Sequence, residues 1–536
     1  MLTPATPPVE TPRRPNIVLI ITDDQGYGDA GCYGNDRVRT PNLDRMAAEG
    51  ARFSRFYVCP VCSPTRAGVM TGRWNYRTGV VDTFLGRSMM RPTEVTLPEL
   101  LRKAGYRTGL FGKWHLGDNA PMRPMDKGFD EALWNKGGGL TQPADPEGNS
   151  YTDPVLYRGA RAEQQKGYVT DVITDAALSF MKRNRTRPFF LYHATVAPHT
   201  PLEVPDAWVE PYRKAGLDEE TARVYAMVEN IDTNVGRLLE GIREMGIDRE
   251  TLVVFVGDNG PAHTRFNGGL RGLKGSPYEG GVRVPCVVRW PGSVPPAVID
   301  TAGANVDLLP TLVQMAGATP PDGLRLDGRS LAPLLRGEKP PWTERTLFYQ
   351  WHRGDEPRRG ESYCAIGSRY KLVNGTELYD LQGDPAEAHN LAAEMPDRAA
   401  DLRRQYDAWF DDVSSQGYEP PRILIGSDRE RLSTLTRQDF RGPTASWAEG
   451  AVGYWEVEAA APTRVDVRVA IWPITTTGRV HVRVGGVERE AWARPGAKTC
   501  TLRWIEMVGG PARLEAWCEA GGKTQGARYL VVQRSQ

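Results

Sequence analysis

Asn16-Ile17-Val18-Leu19-Ile20-Ile21-Thr22, followed at once by Asp23-Asp24, is the first strong structural signal in the chain. Nearly every position of the run is apolar, so the sequence predicts a strand covered on both faces rather than one with a wet side. Thr251-Leu252-Val253-Val254-Phe255-Val256 has the same character, and Thr108 to Phe111 and Pro188 to Tyr192 are shorter candidates. Amphipathic helices are expected between them, at Thr96 to Ala104, Val169 to Lys182 and Glu219 to Met245. Strands alternating with helices imply an α/β fold with a doubly wound, mostly parallel sheet.

The predicted strands end on chemically loaded residues: Asp23-Asp24, Asp258-Asn259, Lys113-Trp114-His115, and His193 with His199. Ligand sites in open parallel sheets lie beyond the carboxyl ends of the strands, so these four ends point to one shared crevice. Asp23, Asp24 and Asp258 would repel one another if left uncompensated. A divalent cation removes that conflict, and hard carboxylate and amide oxygens, Asn259 included, favour calcium or magnesium over zinc. Each Asp pair by itself is more often a loop cap tied to local backbone N–H groups. The two pairs after matching strands point to metal. Gly26-Tyr27-Gly28-Asp29-Ala30-Gly31 spells a dinucleotide fingerprint, but Asp23 and Asp24 beside it argue against a pyrophosphate.

The chain has 536 residues, too many for a single core, and a formal charge of +1. That balance argues against a chain-wide basic footprint for nucleic acid. No apolar run is long enough to span a bilayer. Met1 to Pro15 lacks the apolar middle of a signal peptide, so the chain as written is expected in the cytoplasm, or in the periplasm or outside the cell if a leader was trimmed. Seven scattered cysteines do not make a disulfide framework.

The most specific stretch is Pro60-Val61-Cys62-Ser63-Pro64-Thr65-Arg66-Ala67-Gly68-Val69-Met70-Thr71-Gly72. Pro64 suits a first helical turn, which sets Cys62 where free N–H groups and the helix dipole gather. An isolated cysteine in such a place is commonly just a buried one. The stretch, however, resembles the Cys-x-Pro-x-Arg…Thr-Gly motif of type I, formylglycine-dependent sulfatases, an arylsulfatase-like family of the alkaline phosphatase superfamily. Thr65 stands where many members have Ser. Gly105 to His115, Ala197 to Pro201, Gly269 to Ser276 and Glu279 to Pro285 resemble further family segments in the family's order, and the resemblance runs from about Asn16 to Val413. Cys59-Pro-Val-Cys62 also has the spacing of a zinc or redox element, but no second pair accompanies it.

The resemblance implies hydrolysis of sulfate monoesters, aryl sulfates serving as surrogates for sulfated carbohydrates. It implies that Cys62 is oxidised to formylglycine by a formylglycine-generating or anaerobic sulfatase-maturating enzyme, and that the hydrate is the nucleophile. Asp23, Asp24, Cys62, Asp258 and Asn259 carry over as metal ligands, with calcium expected ahead of magnesium. Lys113, His199 and Lys274 carry over as sulfate-binding and catalytic residues, His115 as a base, and Arg66 with Lys113 as groups that orient the diol. Glu279, Arg283 and His193 read as structural. Two rival readings stand: a phosphonate monoester or phosphodiester hydrolase of the same superfamily, and a non-catalytic anion- or carbohydrate-binding pseudo-enzyme.

The organisation that follows is a flexible tail at 1–15, a catalytic α/β domain at 16–335, an antiparallel α+β subdomain at 336–413, a linker at 414–448 and a C-terminal all-β sandwich at 449–536. Val465 to Val469 and Val480 to Val484 alternate cleanly, as sandwich strands do. Trp447, Trp455, Trp472, Trp492, Trp504 and Trp517 either fill that core, form a subunit contact in a homo-oligomer, or line a sugar-binding face. Selectivity is expected in the loops Thr83 to Arg91, Asn135 to Gly159 and Gln350 to Ser362.

Overall fold

The computed structural model describes residues 14–339 and 341–535; most of the expected N-terminal tail lies outside them. A ten-stranded mixed sheet organises the first three hundred residues. Its order is Ala297–Ile299, Ala51–Phe53, Cys286–Arg289, Thr251–Gly257, Asn16–Thr22, Phe189–Ala194, Arg107–Lys113, Glu131–Asn135, Val155–Arg158 and Arg161–Gln164. The five strands from Thr251–Gly257 to Glu131–Asn135 are parallel, with Ile20 opposite both Phe255 and His193. Antiparallel strands flank them.

The composition of Asn16–Thr22 follows from this arrangement. Ile17, Leu19 and Ile21 enter one apolar core, built with the helices Cys62–Thr71, Leu97–Lys103 and Leu308–Met315. Val18 and Ile20 enter a second on the opposite face, built with Pro41–Glu49, Val169–Asn184 and Glu219–Glu244. Both side-chain sets are removed from water, so no polar alternation survives.

A four-stranded antiparallel sheet follows, with Pro396–Ser414 packed on it. The run expected from Tyr363 to Val373 divides into Tyr363–Ile366 and Tyr370–Val373 around a turn. Lys371 fixes this sheet to the large one: its Nζ lies 3.0 Å from Glu279 and 2.9 Å from Glu387, all three side chains fully buried.

Two further sheets, of six and four strands, share one apolar core. The segment read as a linker contributes to both, Ile423–Leu424 to one and Leu432–Thr436 to the other. Its pattern is inverted relative to its burial: Leu432 is 51% exposed while Ser433 is fully buried. The tail tryptophans also divide. Trp455 is buried in the sandwich, whereas Trp492 and Trp504 are 66% and 62% exposed. Leu85, Met89 and Met122 of the catalytic region complete the same core. Among the described residues no helix is long and apolar enough to cross a membrane.

Candidate active site

Cys62 is the first residue of the helix Cys62–Thr71, preceded by Val61 in extended conformation. Pro64 sits in the first turn, and Gly72, at φ 65°, closes the far end. The helix is buried throughout, so position 62 is held by packing rather than by a flexible loop.

The sheet edge supplies the rest. Asp23 and Asp24 follow one strand and Asp258 and Asn259 its parallel neighbour, so the shared register sets the two pairs side by side. Asp24 has φ 63° and His115 φ 60°, left-handed conformations that a non-glycine residue adopts at a cost and that cluster at functional sites. Gly112 lets the neighbouring strand come close: a Cβ there would stand 1.8 Å from the Ala194 carbonyl. Lys113 and His115 follow from that strand's end.

Single oxygen, nitrogen and sulfur atoms of Asp23, Cys62 and Asp258 lie within 4.8 Å of one another, and so do those of Asp23, Asp24 and His199. Lys113 Nζ donates to Asp23 Oδ2 at 2.6 Å and Lys274 Nζ to Asp24 Oδ1 at 2.5 Å. Asn259 Nδ2 donates to Asp24 Oδ1 at 2.8 Å. Arg66 grips Asp258 Oδ2 through Nε at 3.0 Å and Nη2 at 2.8 Å, and also donates to the Lys113 carbonyl. The hydrogen bonds of Arg66 thus run to the acidic cluster and the backbone rather than to Cys62.

The cluster fits a cation. Asp23 Oδ1 and Asn259 Oδ1 are buried oxygens without a hydrogen-bond partner among the described residues, which is costly unless something electropositive faces them. The carboxylate and amide donors, Asp23, Asp24, Asp258 and Asn259, are hard oxygens. Burial and then the Asp23 charge push the Asp258 carboxyl up to about 6. For Asp24, burial works upward but the Lys274 ammonium prevails and holds the carboxyl well below the usual range. Burial lowers Lys274, yet Asp24 outweighs it and raises the ammonium above its ordinary value.

His115 Nδ1 lies 3.4 Å from Cys62 Sγ, and Nε2 lies 2.7 Å from the Thr83 carbonyl. A carbonyl can only accept, so Nε2 carries the proton. Burial, then the Lys113 charge, pull His115 well below its ordinary value, which leaves a bare Nδ1 facing position 62. His199 is tied through Nδ1 to the Thr200 carbonyl at 2.6 Å, and its Nε2 is 3.9 Å from Asp24 Oδ2. Burial, then Lys274, lower it to about 4. His193 bonds Thr174 at 2.9 Å, and Glu279 is committed to Lys371. Asp29 of the glycine-rich decoy pairs with Arg265.

A cavity of about 360 Å³ opens over Cys62, His115, His199 and Lys274. Thr83, Phe84, Gln142, Trp351 and Arg353 reach it from the three loops expected to set selectivity. Trp447 reaches it from the far end of the chain, and no motif marks these residues.

Residues 15–318 match the sulfatase family model, more than half of the chain. The chain belongs to the sulfatase family. It hydrolyses sulfate esters, and the formylglycine mechanism is general to its family, within the alkaline phosphatase superfamily. Residues 274–410 match the C-terminal model of N-sulphoglucosamine sulphohydrolase. The sulfatase is 35% identical to arylsulfatase A of Homo sapiens over 446 residues, 71% of this chain and 83% of that protein. It is 35% identical to N-acetylgalactosamine-6-sulfatase of Canis lupus familiaris, over 64% of this chain and 69% of that one. Ps i-CgsB, solved in complex with k-i-k-neocarrahexaose, superposes with a TM-score of 0.69 at 29% identity, over 76% of this chain and 95% of its own. The phosphonate monoester hydrolase of Agrobacterium radiobacter shares the sulfatase's fold, with a TM-score of 0.54 at 22% identity over 75% of this chain and 96% of its own.

Proposed function

We propose that this sulfatase cleaves sulfate monoesters of carbohydrates with Cys62, matured to formylglycine, as its nucleophilic residue. What supports the assignment is the meeting at position 62 of two aspartates and the bare Nδ1 of His115. As the aldehyde hydrate, position 62 offers two hydroxyls on one carbon. One gives its proton to the Asp258 carboxylate, which lies within 4.8 Å of the position-62 atom, and attacks sulfur, and the bond from sulfur to the sugar oxygen breaks. Lys113 and Lys274 hold the sulfate oxygens, where negative charge must be balanced. His199 Nε2, aided by Lys274, gives the departing oxygen its proton, and the negative sulfate favours the protonated ring. His115 Nδ1 then takes the proton of the second hydroxyl. The carbon–oxygen bond to sulfate breaks, the aldehyde returns, and water rehydrates it.

Asp23, Asp24, Asp258, Asn259 and position 62 would hold a divalent ion, calcium by the hardness of the donors, which would supply Lewis-acid polarisation. Arg66 braces Asp258 in this scheme. Maturation requires a formylglycine-generating or anaerobic sulfatase-maturating enzyme as a partner, and the exposed tail tryptophans Trp492 and Trp504 are the proposed surface for a homo-oligomer. The carbohydrate assignment draws on the similarity to N-acetylgalactosamine-6-sulfatase and to the neocarrahexaose-bound Ps i-CgsB.

Parallel kinetics on an aryl sulfate and an aryl phosphonate test the reading. Sulfate is expected to be preferred in kcat/KM by protein carrying formylglycine. A phosphonate preference would make this a phosphonate hydrolase, and an unmodified thiol after co-expression with a maturase would make it a binding protein.

A further inference from the structure

The mouth of the active site carries a wall that the catalytic scheme does not use. Phe84, Trp351, Arg353 and Trp447 line the same cavity as Cys62 and Lys274. Trp447 lies beyond residue 410, outside both matched family models, so the sandwich end of the chain supplies part of this wall.

Each ring is fixed from behind. Trp447 Nε1 donates to the Arg437 carbonyl at 3.2 Å, and its ring meets Phe84 edge to face at 5.2 Å between centroids. Trp351 Nε1 donates to Asp82 Oδ1 at 3.0 Å. The polar atom of each indole is therefore engaged away from the cavity, and the apolar body of the ring is left to a ligand. The Arg353 guanidinium stands 4.5 Å from the Phe84 ring and 4.9 Å from the Trp351 ring. Its Nη1 donates to Asp82 Oδ1 at 2.8 Å and to Thr83 Oγ1 at 3.1 Å. Nε and Nη2 have no hydrogen-bond partner among the described residues, and the side chain is 56% exposed. A planar cation with a free edge suits a planar or tetrahedral oxyanion.

We propose that Trp351, Arg353 and Trp447 form a sugar subsite, in which the C–H face of a pyranose packs on the indoles and a second anionic substituent meets Arg353. The subsite rests on the sulfatase reading and narrows its substrate class to oligosaccharides with more than one negative group. The cavity is within the range of pockets that enclose a whole ligand rather than a lone sulfate.

The test compares formylglycine-bearing wild type with Trp447→Ala, Trp447→Phe, Arg353→Gln and Arg353→Lys. Initial rates are measured on 4-nitrophenyl sulfate and on two anionic sugars, glucosamine 2-N,6-O-disulfate and a neocarrahexaose; each sugar is also tried as a competitor of the aryl sulfate. Trp447→Phe and Arg353→Lys cover the case in which the harsher variants fail to fold. The sugars' kcat/KM, or their inhibition constants where they only compete, are expected to worsen at least tenfold more than the aryl sulfate's kcat/KM. Equal losses on both substrate kinds would overturn the subsite, and so would failure of every sugar to react or compete while the aryl sulfate is turned over. No turnover of any sulfate ester by the modified wild type would instead remove the underlying reading, and the subsite with it.

Discussion

Gln438 and His115 donate to the same oxygen. Gln438 Nε2 reaches the Thr83 carbonyl at 2.9 Å, and His115 Nε2 reaches it at 2.7 Å. A residue from the sandwich side of the chain therefore helps to hold the atom that fixes the tautomer of the proposed base. Gln438→Leu removes that donor at nearly constant volume. The expected result is a fall in kcat of about tenfold with KM little changed, since a misaimed base affects the chemical step more than binding. Stopped assays on 4-nitrophenyl sulfate, with an unfolding midpoint as control, check it; a kcat equal to wild type removes Gln438 from this role.

Cys62→Ser keeps an oxygen nucleophile but not the second hydroxyl. The sulfated serine has no internal route to expel sulfate and must wait for water. A covalently held sulfate in the intact mass is expected, with turnover at least ~10³-fold slower. Normal turnover would refute release by carbon–oxygen cleavage.

Metal content gives an independent reading of the acidic cluster. Elemental analysis of purified protein is expected to find one calcium per chain, with zinc and magnesium well below. Asp24→Ala should lose it, and sulfatase activity should fall by at least ~10²-fold. Full activity after exhaustive chelation would contradict the assignment.

Asp118 and Asp439 meet at the seam between sandwich and catalytic sheet. Burial lifts Asp118 to about 6, with Lys136 and the Gly137 N–H pulling it back. Burial, then Asp118, lift Asp439 well above its ordinary value, against Lys136 and Arg441. Neither Asp439 oxygen has a hydrogen-bond partner among the described residues. The folded chain holds these protons more tightly than the unfolded one. Their stabilisation is therefore complete below about pH 4 and is lost as pH rises through 6 and beyond, at about 1.4 kcal/mol per unit of displacement. Asp439→Asn, neutral at every pH, is expected to unfold at higher denaturant than wild type at pH 8 and near wild type at pH 5. Equal midpoints at pH 8 would refute this.

The catalytic end of the molecule was legible because physics constrains it doubly. Asn16–Thr22 must be apolar on both faces, and parallel neighbours must deliver Asp23, Asp24, Asp258 and Asn259 to one edge. The contiguous motifs around Cys62, Lys113 and Lys274 did the rest. What stayed hidden depends on contacts remote in sequence. Thr83 and Gln438 are 355 positions apart, and neither carries a local pattern. Leu432–Thr436 was obscured because Ser433 points inward and Leu432 outward. The tail tryptophans could not be divided by type alone: Trp455 fills the core, Trp492 lies open, and Trp447 borders the cavity.

Leu85, Met89 and Met122 close the sandwich core from the catalytic side. The two parts are thus one solubility unit. A chain truncated after Val413 would leave a greasy scar beside the active-site mouth, and the expected outcome is aggregation rather than a trimmed, working hydrolase. Transplanting the sandwich onto another sulfatase would likewise fail unless the 83–90 loop travelled with it.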